Sequence, residues 1–311
     1  MKKFLSVAAT FVLGSALLLA GCGTDQGNAA AGSDKKVTLT VGASPVPHAE
    51  ILEHVKDKLA KEGVDLKIIE FSDYIKPNLA LNDKEIDANF YQHIPFMKKF
   101  EEEHNMKFVS AGAVHIEPMG LYSNKIKDKN LQEAVPNGGK VAIPNDPTNT
   151  GRALQLLQQA GLITLKDPNN IYSTKLDIVA NPKNLDIIEV EAAQTPRTLD
   201  DVDIAAINAN YALGANLNPL ADALFLDSKD SPYANLIAVR PGDENRPEIK
   251  KLVEALHSPD TKQFIEEKYK GSILPAFYFY FFSLYNFVPS CYTNERIKYG
   301  LLSRVMEGLA L

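Results

Sequence analysis

The chain has 311 residues, a formal charge of −6 and a 45% apolar composition, enough for one large or two ordinary domains around a proper core. The acidic balance argues against a nucleic-acid partner, which would need a basic stripe. Only two cysteines occur, so once one of them is used elsewhere neither a disulfide framework nor a cysteine metal site is available.

Met1-Lys2-Lys3 gives a positive start to a run that is almost wholly apolar from Phe4 to Ala20. This run is too short and too poor in flanking charge for a spanning helix. It closes on Leu19-Ala20-Gly21-Cys22, which resembles the bacterial lipobox. There, small residues admit the signal peptidase and the cysteine thiol receives a diacylglycerol before cleavage. An ordinary secretory signal with an incidental Cys22 is the plainer alternative. Residues 1–21 are thus expected to be a lipoprotein signal peptide, with Cys22 as the lipidation site. Residues 22–36, rich in Gly, Ala, Ser and Asn, read as a flexible tether. Because two acyl chains hold a protein far better than one, the mature chain is expected to be anchored on the extracytoplasmic side of the cell membrane.

The body alternates β-rich and helical runs. A strand is predicted over 37–41, followed by the turn-prone segment 42–47. Residues 48–62 carry Ile51, Leu52, Val55, Leu59 and Ala60 at helical spacing, with Gly63 where a C-cap belongs. A strand (66–71), a helix (74–81), a strand (86–90), a helix (95–103) and a strand (107–113) follow. This order predicts an α/β fold with a largely parallel sheet. The pattern restarts with a strand at 140–144, a polar turn at 145–150 and a helix at 151–160 stopped by Gly161. Strands are predicted at 185–190, 204–208 and 233–239, and closing helices at 249–256 and 261–269. The expected architecture is two-lobed, with residues 37–119 plus 224–277 in one lobe and 120–223 in the other. A small-ligand cleft would lie between them.

Three segments carry donors beside apolar surface. Residues 87–95 end a strand in Phe90, Tyr91, Gln92 and His93, a mixture suited to a ligand with an apolar tail and a polar head. Equally, the aromatics could be core and His93 a helix cap. Residues 145–152 place polar groups before a helix, where free N–H groups favour an anion. Arg152, expected in the first helical turn, is suited to holding a carboxylate by two parallel hydrogen bonds; a solvated arginine behind an N-cap is the alternative. Residues 206–212 end an apolar strand in Asn208, able to aim an amide into a cleft, although asparagine is also a common turn residue.

The ordered set of segments 87–95, 115–123, 145–154 and 206–212, supported by 71–74 and 231–236, resembles the methionine-binding lipoprotein family (MetQ/NlpA type) that serves methionine ABC importers. The resemblance runs from Val37 to Phe277. It implies a periplasmic-binding-protein fold (type II-like) that closes on its ligand. It also implies Arg152 on the methionine carboxylate and Asn208 on the polar head, with Asn149 and Asn210 nearby. Phe90, Tyr91 and His93 would line the thioether slot, with Tyr74 as a further wall. A thioether makes favourable contacts with aromatic edges. One methylene discriminates by only about 1–3 kcal/mol, so selectivity must come from cleft shape.

The implied partners are L-methionine, the membrane through the lipid on Cys22 and the permease of an importer. D-methionine, a methionine-containing dipeptide and another amino acid are alternatives for the ligand. No cofactor, metal or catalytic residue is expected, and the chain is expected to be a monomer. An enzyme on the same scaffold would need an acid–base pair, for which His93 with Asp87 or Glu117 is the one candidate, without a Ser or Cys partner in a recognisable motif. A surface adhesin is a third reading. Residues 278–311, opening on Tyr278-Phe279-Tyr280-Phe281-Phe282, depart from the family pattern; a functional extension that packs on a partner or the membrane is one reading, and a tail without an evolved role, including Cys291, is the favoured one.

Overall fold

The computed structural model describes residues 36–228 and 232–277. The expectations for the signal peptide, Cys22, the tether up to Lys35, Cys291 and the 278–311 tail lie outside the described residues. Among the described residues no helix is long and apolar enough to cross a membrane.

The first sheet begins with β1 (Val37–Ala43), α1 (Glu50–Lys61), β2 (Val64–Glu70), α2 (Lys76–Asn82), β3 (Ala88–His93), α3 (Ile94–His104) and β4 (Val109–Ile116). The chain then builds β5 (Gly120–Tyr122), α4 (Leu131–Ala134), β6 (Lys140–Pro144), α5 (Pro147–Gln159), the small antiparallel pair β7 (Thr164–Leu165) and β8 (Ile178–Ala180), and β9 (Asp186–Val190). After β10 (Ile204–Ile207), α6 (Ala209–Gly214), α7 (Pro219–Asp222) and β11 (Phe225–Leu226) it returns through β12 (Ala234–Val239), α8 (Pro247–Leu256), α9 (Pro259–Tyr269) and β13 (Leu274–Pro275). Two large sheets result, with orders β13-β4-β12-β3-β1-β2 and β11-β5-β10-β6-β9.

Each sheet is apolar on both faces, which is why its inner strands read as continuous apolar runs. In β12, Ile237 and Val239 join the core under α1, α8 and α9, while Leu236 and Ala238 face Met97, Phe100 and Leu81 on the other side. In β10, Ile204 and Ala206 pack with Leu154 and Leu157 of α5, whereas Ala205 and Ile207 meet Leu199 and Val202. The period of two thus assigns every side chain of these strands to one core or the other. Helix α1 buries Ile51, Leu52, Val55 and Leu59 on one face and ends at Gly63, whose φ of +83° suits the left-handed C′ position.

Several expectations change. The parallel sheet is mixed: β12 lies antiparallel between β3 and β4, because the chain re-enters the first sheet from the second and runs against its neighbours. Residues 225–226 pair with Leu121 and Gly120 in the second sheet. Helix α5 starts at Pro147, four residues before the predicted start. Asp146 is its N-cap and Pro147 occupies the first turn, a strong helix start within what reads as a polar turn.

Candidate functional site

Between the two sheets lies a narrow cavity, of about 20 Å³, lined by Tyr74, Tyr91, Gln92, His93, Phe96, Glu117, Asn149, Arg152, Asn208, Ala209 and Asn235. Six of the eight binding residues expected from the sequence line it: Tyr74, Tyr91, His93, Asn149, Arg152 and Asn208. The other two do not. Phe90 is fully buried in the first core, its ring 4.7 Å from that of His48 and 5.2 Å from that of His115. Asn210 stands next door, on an open groove that also includes Asp73, Lys76, Glu191 and Arg197.

The loss of Phe90 has a local cause. In the β3–β12 pairing Gln92 faces Leu236 and Phe90 faces Ile237, so Tyr91 is an extra residue. Such a bulge re-aims the side chains that follow it. Tyr91, Gln92 and His93 therefore all border the cavity while Phe90 stays in the core. Tyr91 donates its hydroxyl to Tyr74 O at 3.0 Å, and the rings of Tyr74, Tyr91 and Phe96 lie mutually 5.8–5.9 Å apart, forming an aromatic wall. His93 caps α3: its Nδ1 accepts from Phe96 N–H at 3.2 Å. The cap and the cavity lining, alternatives in the sequence, coexist. Burial first, and then the Arg152 charge, lower the His93 pKa to about 3, partly offset by the Asn149 side chain.

The polar end comes from the second sheet. Arg152 sits in the second turn of α5, not the first, and is 4% exposed. Its Nε donates to Asp227 Oδ2 at 2.8 Å, and its Nη2 lies 2.6 Å from both that oxygen and Glu117 O. The guanidinium carbon stands 4.3 Å over the Tyr233 ring. Nε and Nη2 are thus both engaged by oxygens of the chain itself. The anion site expected at the α5 N-terminus is filled by the chain itself, since Asp146 Oδ1 takes the Asn149 N–H at 3.0 Å. Asn208, at the N-cap of α6 but not capping it, gives Nδ2 to Asn149 Oδ1 at 2.9 Å. Its own Oδ1 is buried without a partner among the described residues. A buried carbonyl left in that condition costs about 1–3 kcal/mol, which a ligand donor would recover.

Sequence reasoning did not place Phe96, Glu117, Ala209 and Asn235 in the cavity, and it named Gln92 only as part of the 87–95 cluster. Glu117, in the link between β4 and β5, accepts from His115 Nε2 at 2.6 Å on Oε1 and from Asn210 N–H at 3.2 Å on Oε2, and its Oε1 lies 3.1 Å from His48 Nε2. His48 Nε2 is also 3.0 Å from Asn235 Oδ1. Burial raises the Glu117 pKa, opposed by His48, Arg152 and the Asn210 N–H. Burial lowers His48 to about 4 and His115 to about 3. These three residues also form a cluster of metal-ligand type, with donor atoms within 4.8 Å of one another. His115 Nε2 is hydrogen-bonded to the Glu117 carboxylate, and His48 Nε2 to Asn235 Oδ1. The acid–base pair considered for an enzyme does not form: Asp87 binds Arg246 at 2.9 Å, and Glu117 serves His48 and His115 instead of His93.

Two α/β lobes closing over an aromatic wall on one side and amide and guanidinium groups on the other define a substrate-binding protein of the periplasmic type. The chain belongs to the NlpA lipoprotein family, which it matches over residues 39–277. It is 42% identical over 281 residues to the methionine-binding lipoprotein MetQ of Bacillus subtilis strain 168, covering 89% of this chain and 99% of that one. The D-methionine-binding lipoprotein MetQ of Escherichia coli K12 is 41% identical over 273 residues, 86% of this chain and 97% of its own. A nutrient-binding protein from Burkholderia cenocepacia, solved bound to methionine, superposes with a TM-score of 0.73 at 48% identity, covering 77% of this chain and all of that one.

Proposed function

We propose that this chain captures methionine in the cavity between its sheets and delivers it to the permease of an ABC importer. The observation that carries the reading is the meeting, in one cavity, of an unpartnered carbonyl at Asn208 and the Arg152 guanidinium with the Tyr74–Tyr91–Phe96 wall. An ammonium fits the first, a carboxylate the second and an unbranched thioether the third. The names of the relatives support the same ligand. D-methionine is the second reading, favoured by the name of the Escherichia coli relative.

The chain works as a binder without catalysis and as a monomer, held by lipid at Cys22 on the outer side of the cell membrane. Sheet membership supports lobes of 37–119 plus the returning segment to 277, and of 120 to about 226. Closure is held by contacts that cross between them: Tyr74 donates to Asn210 Oδ1 at 2.7 Å and Tyr211 to Ser72 O at 3.3 Å. The test is calorimetric titration of refolded protein with L-methionine, D-methionine, leucine and a methionine dipeptide. One-to-one binding of a methionine enantiomer, absent with leucine and abolished by Asn208→Ala, supports the proposal. Heat only with leucine or the dipeptide, or full affinity in Asn208→Ala, contradicts it.

A further inference from the structure

Asp146 does not line the cavity, yet it governs what the cavity asks of a ligand. A side-chain amide has nearly the same shape either way round, so two facing asparagines can pair in either of two directions. A carboxylate removes that freedom because it only accepts. Asn149 Nδ2 lies 3.0 Å from Asp146 Oδ1 and 2.9 Å from Oδ2, and Oδ1 also takes the Asn149 N–H and the Thr148 hydroxyl, the latter at 2.9 Å. With its NH2 committed there, Asn149 turns Oδ1 toward Asn208. Asn208 must answer with Nδ2, at 2.9 Å, and is left showing Oδ1 to the cavity with no partner among the described residues. Reversing either amide would set two oxygens face to face at hydrogen-bond distance in a buried site, which is costly.

We propose that Asp146 is a positioning residue that fixes the polarity of the Asn149–Asn208 relay, so that the head-group site presents an acceptor and selects ligands carrying a donor, an α-ammonium, over 2-oxo acids of the same shape. The proposal rests on the reading of this cavity as an amino-acid site. It assigns selectivity for the amino group to a residue that never touches the ligand, three side chains along the relay.

The test is Asp146→Asn. Asparagine caps a helix as well as aspartate does, so α5 keeps its N-cap, but the new NH2 lets the relay run in either direction. Affinities for methionine and for its 2-oxo acid analogue are measured by calorimetry in both proteins. The preference of the unaltered protein for the amino acid should fall at least about tenfold in the variant, because methionine loses its acceptor while the 2-oxo acid gains a donor. Equal losses for both ligands, or an unchanged ratio, would mean that Asp146 only supports the fold, and would overturn the proposal. A neutron structure of the unaltered protein gives a check that needs no variant. Deuterons on the Asn208 atom facing Asn149 support the relay, and deuterons on the cavity-facing atom refute it. That readout stands even if methionine is not the ligand, so the two ideas fail separately.

Discussion

Acidification from about pH 7.5 to about pH 5 is predicted to strip the folded state of several kcal/mol, because three imidazoles are held neutral in its interior. His48 is lowered to about 4 and His93 and His115 to about 3, against an ordinary value of 6.5. The geometry gives the reason in each case. Protonating His93 would turn its Nδ1 from the acceptor of the Phe96 N–H into a donor beside Arg152. Protonating His48 or His115 would place an N–H at a buried Nδ1 with no partner among the described residues. The unfolded chain has no such restraint and takes up protons as the pH falls through 6.5. Stability is therefore complete above that value and declines as the pH falls toward 4 and 3. At about pH 5 each imidazole costs about 1.5 × 1.4, or roughly 2 kcal/mol, and the three together about 6 kcal/mol. Buried Glu117, Asp146 and Asp227, whose pKa values are raised chiefly by burial, act in the opposite sense, so this sum is an upper bound. Against a typical total of about 5–15 kcal/mol the loss is large. Urea unfolding at a series of pH values reads it directly, and NMR titration of the rings assigns it. A urea midpoint unchanged between about pH 7 and pH 4.5, or folded-state rings titrating near 6.5, would refute the reasoning.

Arg152→Ala leaves Asp227 buried without its cation and should cost about 3–5 kcal/mol, lowering the melting temperature by roughly 6–20 °C as well as abolishing capture; an unchanged melt would show that the Asp227 pairing is not structural. Gly151→Ala would drive a Cβ into the Ile171 carbonyl oxygen, forcing α5 to move with Asn149 and Arg152 on it. A loss of about 1–3 kcal/mol in denaturation and a clear fall in affinity are expected, and native values for both would contradict the packing. Tyr74→Phe removes the 2.7 Å bond to Asn210 across the closed lobes, worth about 0.5–1.5 kcal/mol. Stopped-flow release should quicken by roughly two- to tenfold with little change in the association rate, and an unaltered release rate would remove this bond from closure.

The alternation of strands and helices was legible because each β run is short, apolar and β-branched, and each helix carries one buried stripe. What was not legible is instructive. The bulge at Tyr91 leaves no mark on the apolar pattern of β3, so Phe90 reads as facing the ligand when it faces His48. The two-residue strands β11 and β13 hold too few residues to show a period. Glu117 and Asn235 stand inside segments 115–123 and 231–236 that mark the family, but a lone carboxylate and a lone amide carry no spacing that distinguishes a buried hub from a solvated turn. A glutamate directly after an apolar strand and before a proline, at the crossing between lobes, was the available hint. Asp146 reads as turn chemistry, and its cap does serve that purpose. Its second role, ordering Asn149, depends on a contact with Asn208 that is 59 residues further along. Arg152 and Asn208 stood out in the sequence by residue type and position, and the resemblance supplied their expected roles, while the crowding of Arg152 by Asp227 is a tertiary fact.

Selenomethionine offers the most direct trial of the central claim. Protein containing ordinary methionine would be crystallised with L-selenomethionine as ligand and the anomalous signal of selenium mapped. The account predicts one strong peak in the cavity, against the rings of Tyr74, Tyr91 and Phe96, with the ligand carboxylate at Arg152 and its ammonium at Asn208. A peak in the open groove beside Asp73 and Arg197, or a cavity without selenium in a crystal saturated with ligand, would contradict it.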